Sequence, residues 1–114
     1  MRILCVDDDG LVLSVIADLL RSLGHEVVEA HGGTIAAQAI RAVPPIDVLV
    51  TDINMPGGPD GLELAYHARQ HRPGLGVIYF SGLSHVIPRD VQGIVLQKPC
   101  SLGELETALE RVTH

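Results

Sequence analysis

Short apolar segments that alternate with amphipathic segments constrain the fold of this chain more than any other feature of its sequence. Five segments are rich in Val, Ile and Leu and are bounded by Gly, Pro or Asp, as expected for strands that are buried on both faces. They are Ile3–Val6, Val27–Val28 with its flanks, Val48–Val50, Val77–Phe80 and Ile94–Leu96. Strict alternation of strand and helix predicts an α/β fold in which a doubly wound, five-stranded parallel sheet carries helices on both faces.

The segments between these strands have apolar residues at helical spacing. Helices are predicted at Gly10–Leu23, Thr34–Val43 and Leu62–His71. A last helix begins after Ser101, which forms a capping box with Glu104 three residues later. Each of the first three helices returns the chain across the sheet to the start of a new parallel strand.

The connection between the fourth and fifth strands is short. Sixteen residues, Gly82 to Gln97, separate Ser81 from Lys98 and must also contain the fifth strand. A strand of about five residues leaves room for little more than a helical turn or two. Pro88 interrupts even that stretch, because proline cannot donate a backbone hydrogen bond inside a helix. We therefore predict that the helix at this position, the fourth of the fold, is short, distorted or replaced by a loop.

Composition limits the functions that such a chain can have. Its length of 114 residues fits one domain, residues 1–114. A net charge of −6 argues against a nucleic-acid-binding face, because phosphate contacts need clustered Lys and Arg. The sequence contains no apolar run long enough for a membrane span and no signal peptide. Two cysteines do not indicate a disulfide framework, so a reducing, cytoplasmic location is expected.

Polar and charged residues follow four of the five predicted strands. Three consecutive acids follow the first strand, another acid follows the third, a serine follows the fourth, and the only lysine of the chain follows the fifth. Because the carboxyl ends of parallel strands meet at one edge of the sheet, where doubly wound folds bind their ligands, we expect these side chains to form one site. The residues concerned are Asp7, Asp8, Asp9, Asp52, Ser81 and Lys98.

The residue types in this set point to phosphoryl transfer. Neighbouring carboxylates repel one another and raise each other's pKa, so a cation is expected among them. Asp8 and Asp52 offer the hard oxygen ligands that Mg²⁺ binds. The Asp52 carboxylate can then attack a phosphoryl donor to give an aspartyl phosphate. Such transfer depends mainly on positioning and charge neutralisation, which Lys98 supports, while the Ser81 hydroxyl can donate to a phosphoryl oxygen.

In combination, these motifs resemble the receiver domain of bacterial two-component response regulators over essentially the whole chain. The resemblance implies a flavodoxin-like strand order of 2-1-3-4-5 and a cis peptide bond before the proline that follows the lysine, since cis bonds are tolerated essentially only there. The motifs that carry it are the acidic pair Asp7-Asp8, the segment DINMPGGPDGLELA that begins at Asp52, Ser81 after the fourth strand, and the dipeptide Lys98-Pro99 after the fifth.

The same resemblance implies a role for each site residue. Asp52 is the expected phosphoacceptor, assisted by Lys98 and Ser81. The expected ligands of Mg²⁺ are Asp8, Asp52 and the backbone carbonyl of Asn54, with Asp7 acting through a water molecule. Asp9 matches no functional position of the family, and we predict that it caps the first helix.

The implied function is phosphorelay signal transduction, in which a sensor histidine kinase or a hybrid kinase donates the phosphoryl group. Such a chain is a signalling domain rather than an enzyme, although it assists its own phosphorylation and dephosphorylation. Its downstream partner is a protein that the sequence does not identify, and the resemblance allows a homodimer. Receivers of the chemotaxis type carry an aromatic switch residue three positions before the lysine; this chain has Val95 there, so that switch is not expected.

Two alternatives stay open from the sequence. The string VDDDG also fits the signature of haloacid-dehalogenase-type phosphatases, with Asp7 as nucleophile and Asp9 as acid/base. Against this interpretation, the chain has no room for the usual cap of those enzymes and lacks the later acidic pair that completes their metal site. The other alternative is a pseudo-receiver that binds partners without phosphorylation. Phosphate on Asp7 would indicate the phosphatase, and phosphate on Asp52 the receiver.

Overall fold

A computed structural model of the chain describes residues 1–42, 44–82 and 87–113. These residues form a five-stranded parallel sheet in the order β2-β1-β3-β4-β5, with helices packed on both faces. The predicted fold class and strand order are therefore confirmed. The strands are β1 (Arg2–Val6), β2 (Glu26–Ala30), β3 (Val48–Asp52), β4 (Gly76–Ser81) and β5 (Ile94–Gln97).

The helices are α1 (Gly10–Ser22), α2 (Gly33–Ile40), α3 (Gly61–His71) and α4 (Leu102–Val112). The predicted capping box of the last helix is present, since Ser101 Oγ accepts from the Glu104 N–H at 3.1 Å and Glu104 Oε1 accepts from the Ser101 N–H at 3.0 Å. None of the helices in the described ranges has the length and hydrophobicity needed to cross a membrane.

Helix α2 is shorter than the sequence pattern predicts. It ends at Ile40, whereas apolar spacing extended the prediction to residue 43, which lies outside the described residues. The N–H groups of Arg41 and Ala42 donate three residues back, to Gln38 and Ala39, at 3.2 and 3.1 Å. Such bonds close a helix with a tight turn, and the prolines that follow disfavour its continuation.

The connection between β4 and β5 contains no regular α-helix in its described part, residues 87–93. It holds one 3₁₀ turn, Arg89–Val91, preceded by Pro88 in an extended conformation. The Gln92 side chain donates to the carbonyls of Ile87 and Pro88 at 2.6 and 3.1 Å, which fixes the turn. The shortened fourth helix is thus confirmed over these residues, while residues 83–86, also covered by that prediction, lie outside the described ones.

Each face of the sheet is covered by its own pair of helices. Leu4, Leu49 and Val77 pack beneath α2 and α3. On the opposite face, residues one position away along the same strands pack beneath α1 and α4. With both faces buried, polar residues of the strands are concentrated at the strand ends. The register pairs Val6 of β1 with Thr51 of β3, so the residues that follow each strand emerge side by side.

Candidate functional site

The turn after β1 buries one acid and exposes the next. Asp7 is 2% exposed; its Oδ1 accepts from the Asp9 N–H at 2.9 Å, and its own N–H donates to the Ala30 carbonyl at 3.2 Å. Asp8 is exposed to solvent. These two hydrogen bonds fix the turn, so both carboxylates are held at the carboxyl edge of the sheet.

The third acid of the string has a different role. Asp9 is the N-cap of α1, and its Oδ1 accepts from the N–H groups of Leu11 and Val12 at 3.0 and 3.2 Å. These N–H groups lack partners within the helix, and a capping carboxylate satisfies them. The prediction that Asp9 caps the first helix is confirmed.

Asp52, the last residue of β3, meets the acids of the β1 turn. One carboxylate oxygen each of Asp7, Asp8 and Asp52 lies within 4.8 Å of the others. One metal ion can contact oxygens at this spacing, and a set made only of oxygen donors suits a hard cation such as Mg²⁺. The two segments that supply these acids are distant in sequence and come together because β1 and β3 are neighbours in the sheet.

Lys98, which directly follows β5, bridges two of these carboxylates. Its Nζ donates to Asp7 Oδ2 at 2.8 Å and lies 3.3 Å from Asp52 Oδ2. The peptide bond between Lys98 and Pro99 is cis, as expected from the resemblance noted above. One ammonium group is therefore shared by two carboxylates, and the third acid of the cluster, Asp8, is exposed.

The electrostatics of the cluster follow from burial and crowding. Burial raises the pKa of the Asp52 carboxyl, and the Asp7 and Asp8 carboxylates add to the rise, which Lys98 opposes without cancelling. Burial acts to lower the pKa of the Lys98 ammonium, but its bond to Asp7 and the charge of Asp52 outweigh burial, so the pKa lies above its usual value. Both directions agree with a site that has more negative charge than one lysine neutralises.

Comparison with known proteins identifies the family. The family model described as "Response regulator receiver domain" matches residues 3–110. The chain belongs to this family. The response regulator receiver protein CpdR of Brucella abortus is 31% identical over 118 residues, which cover 97% of this receiver and 95% of CpdR.

Two further matches place this receiver among proteins of different size. A receiver protein of Sinorhizobium medicae has a crystal structure that superposes with a TM-score of 0.89 at 28% identity, covering 99% of this chain and 94% of that one. The sensor histidine kinase GacS of Pseudomonas protegens is 39% identical over 56 residues, which are 49% of this chain and 6% of GacS. Relatives of this receiver thus include both a small protein and a segment of a much larger one.

Ser81 and Asn54, the remaining predicted site residues of this receiver, lie at the same edge of the sheet. Ser81 ends β4 and is 1% exposed, and its carbonyl accepts from the Lys98 N–H at 3.4 Å. Asn54 is exposed and stands between the buried residues Ile53 and Met55 in the loop after β3. Ser81 therefore lies beside Lys98 at the sheet edge, and Asn54 follows Asp52 by two residues along the chain.

Val95, at the position three residues before Lys98, and the nearest tyrosine differ in their surroundings. Val95 is 40% exposed. The neighbouring strand carries Tyr79, which is fully buried and whose hydroxyl donates to the Val91 carbonyl at 2.6 Å. Because this bond ties Tyr79 to the 3₁₀ turn, the ring is fixed in the core.

One residue that sequence reasoning missed controls how closely α3 approaches Asp52. A Cβ atom on Gly61, the first residue of α3, would lie 2.3 Å from the Asp52 carbonyl oxygen. Only glycine permits this contact. The Asp60-Gly61 pair was a possible signal, because glycine disfavours helix and its presence directly after a capping residue indicates a tight contact.

Proposed function

We propose that this receiver accepts a phosphoryl group on Asp52 from a phosphohistidine of a sensor histidine kinase and that phosphorylation changes its binding to a partner protein. The observation that carries the proposal is the approach of Asp7, Asp8 and Asp52 oxygens to within 4.8 Å, beside the Lys98 ammonium. Phosphoryl transfer needs little from a protein beyond positioning and neutralisation of negative charge. This arrangement supports both.

In the proposed reaction, a carboxylate oxygen of Asp52 attacks the phosphorus atom. The bond from phosphorus to the histidine nitrogen of the donor breaks, and its electron pair stays on that nitrogen. The Asp52 side chain is 15% exposed and that of Asp7 is 3% exposed, so a donor reaches Asp52 more readily. Lys98 then neutralises an oxygen of the transferred group, and the Ser81 hydroxyl donates to another.

The donor set of the cluster fits Mg²⁺. Asp8, Asp52 and the backbone carbonyl of Asn54 would hold the ion, and Asp7 would contact it through a water molecule. When bound, the ion supplies positive charge that offsets the carboxylates and the incoming phosphoryl group. The raised pKa of Asp52 supports a cation here, since burial and the neighbouring acids disfavour its charged form.

The geometry favours this function over a phosphatase of the haloacid-dehalogenase type. That mechanism needs Asp9 as acid/base, whereas the Asp9 carboxylate accepts two hydrogen bonds from the first turn of α1. It also needs Asp7 as nucleophile, and Asp7 is buried and bonded to Lys98. A buried acid whose two carboxylate oxygens each accept a hydrogen bond is poorly placed to attack a substrate.

We further propose that residues 1–114 act as one receiver domain in the cytoplasm and that the domain assists its own phosphorylation and dephosphorylation without being an enzyme otherwise. The match to a segment of the sensor histidine kinase GacS supports a partner of that kind, whether separate or fused as a hybrid kinase.

The proposal is tested by incubating the chain with acetyl phosphate, with and without MgCl₂, and measuring intact mass. We expect a phosphoryl mass shift that depends on MgCl₂ in the wild-type chain and in the control Asp47→Asn, which changes an acid before the same strand at the opposite edge. Asp52→Asn should show none. A shift that survives Asp52→Asn and maps to Asp7 would favour the phosphatase. No shift in the wild-type chain would favour the pseudo-receiver.

A further inference from the structure

The loop that carries Asn54 is fixed at both ends. It runs over residues 53–60, from the end of β3 to the start of α3, without regular structure. Ile53 and Met55 are buried in the core beneath α2 and α3. At the far end, the Gly61 N–H donates to the Ile53 carbonyl at 2.9 Å. These contacts hold residues 53–55 and the start of α3, and they leave the part of the loop between them to be supported by another element.

Gly58 and Pro59, in the second half of the loop, pack against the first turn of α2. A Cβ atom on Gly33 would lie 2.0 Å from the carbonyl oxygen of Pro59 and 3.0 Å from Pro59 Cδ. From the loop side, a Cβ atom on Gly58 would lie 3.0 Å from Thr34 Oγ1. The backbone of α2 and the backbone of the loop are therefore in direct contact, and a residue with a side chain at position 33 would separate them.

We infer that Gly33 is a positioning residue for the Mg²⁺ site, because its missing side chain lets α2 support the loop that presents Asn54. The inference rests on the function proposed above. Contacts of a Cβ atom below 3.0 Å essentially do not occur, so an alanine at position 33 moves its neighbour by about 1 Å. Mg²⁺ demands near-ideal octahedral geometry, so a displacement of that size in a loop that supplies a ligand weakens its binding.

The experiment measures MgCl₂ binding by isothermal titration calorimetry and stability by urea unfolding for the wild-type chain, Gly33→Ala and Gly103→Ala. Gly103 lies in the first turn of α4, where a Cβ atom would meet nothing closer than 3.9 Å, so it repeats the change in helix propensity without the clash. We expect Gly33→Ala to weaken Mg²⁺ binding about ten- to a hundredfold, the range for groups that orient metal ligands. Gly103→Ala should bind Mg²⁺ like the wild-type chain.

Two outcomes would overturn the inference while leaving the proposed function intact. If Gly33→Ala loses stability but binds Mg²⁺ normally, then the new side chain has displaced α2, and the loop that carries Asn54 has kept its position. If Gly33→Ala does not fold, Gly58→Ala carries the test, because its clash is only with the end of the Thr34 side chain. That variant should keep its stability and lose Mg²⁺ affinity to a smaller extent; unchanged affinity would overturn the inference. Absence of Mg²⁺ binding by the wild-type chain would overturn the proposed function and the inference with it.

Discussion

At the amino-terminal edge of the sheet, charged side chains form matched pairs, whereas at the carboxyl-terminal edge a cluster of three carboxylates has one lysine, which contacts two of them. Asp47, just before β3, accepts from the Arg2 N–H at 2.8 Å and from Arg72 Nη1 at 2.9 Å. The side chain of Arg2 pairs in turn with Glu26 at the start of β2. The hydrogen bond from Arg2 and the bond to Arg72 hold the pKa of Asp47 below its usual value.

The carboxyl-terminal edge has the opposite balance. Among the residues that the structure describes, Lys98 is the cation within ion-pair distance of Asp7 and Asp52, and Asp8 adds a third carboxylate to the cluster. Charge crowding of this kind disfavours the folded state, since the Asp7 and Asp8 carboxylates add to the rise in the pKa of Asp52 that burial causes. Paired charges at one edge therefore contribute to stability, while carboxylates in excess of their one cation at the other edge are arranged for a ligand.

The largest effect should come from removing Lys98, the cation of the carboxyl-terminal edge, which we call the crowded edge; the amino-terminal edge is the matched edge. Lys98→Met leaves the buried Asp7 carboxylate without its partner, and we expect the free energy of unfolding to fall by about 3 kcal/mol at neutral pH. Arg72→Met, at the matched edge, should cost at most about 1 kcal/mol, because the pair with Asp47 is exposed. Urea unfolding of both variants measures the difference.

A second substitution shows whether Lys98→Met destabilises the fold because Asp7 loses its partner charge or because the lysine side chain no longer packs. Adding Asp7→Asn to Lys98→Met removes the uncompensated charge and should restore most of the stability. The comparison between the two edges fails if Lys98→Met costs no more than Arg72→Met, or if the second substitution restores nothing.

Addition of Mg²⁺ should stabilise the protein through the crowded edge alone. At a concentration a hundred times the dissociation constant, binding to the folded state adds about 2.7 kcal/mol to the free energy of unfolding. Asp8→Asn, which removes an exposed carboxylate of the cluster, should abolish most of this gain, and Asp47→Asn should keep it. Thermal unfolding with MgCl₂, against NaCl at equal ionic strength, provides the measurement. Equal gains in Asp8→Asn and the wild-type chain would place the ion elsewhere.

Within the crowded edge, Asp9 should behave as a structural residue. Asp9→Ala removes the cap of α1 and should lower the free energy of unfolding by about 1 kcal/mol. Asp9→Asn also removes the charge but keeps the capping oxygen, so it should retain the stability of the wild-type chain. Chemical unfolding of the two variants measures the difference in stability. Calorimetry should show that both variants bind Mg²⁺ more tightly than Asp8→Asn does. A large loss of affinity in Asp9→Asn would contradict the assignment.

The sequence predicts the fold well where burial leaves a strong pattern. β1, β3 and β4 are covered on both faces, and their apolar runs mark them clearly. β2 is an edge strand with exposed glutamates at positions 26 and 29, so only Val27 and Val28 signalled it. The end of α2 was misplaced because apolar spacing continues beyond Ile40, while the backbone already closes in a turn.

The residues of the site were predictable from the topology of the sheet. The contact by which α2 supports the loop after β3 was not. Parallel strands must bring their carboxyl ends to one edge, so Asp52 and Lys98 could be placed beside the acids of the first strand from sequence order alone. The contact between Gly33 and Pro59 joins segments whose relative position depends on how α2 packs. A glycine has no side chain whose chemistry signals such a contact.

The smallest expected effect is on the pH dependence of the free energy of unfolding. It tests the difference in charge balance between the two edges of the sheet most directly. The pKa of Asp47 lies below the usual 3.8 in the folded protein, so its ionised form stabilises the fold above that pH, and this contribution is lost as the pH falls below 3.8. The pKa of Asp52 lies above 3.8, chiefly because of burial, so its ionised form disfavours the fold at neutral pH. That penalty disappears as the pH falls toward 3.8.

The isosteric variants should therefore change stability in opposite directions and over different pH ranges. In EDTA at neutral pH, Asp47→Asn should lower the free energy of unfolding by about 0.5 kcal/mol and Asp52→Asn should raise it by a similar amount. Near pH 4 the gain from Asp52→Asn should have largely gone, because the wild-type carboxyl is then becoming protonated in the folded protein, while the cost of Asp47→Asn should persist. Urea unfolding between neutral pH and pH 4 measures both. If the two variants changed stability in the same direction, or lost their effects over the same range, charge at the two edges would not differ in the way that their geometry indicates.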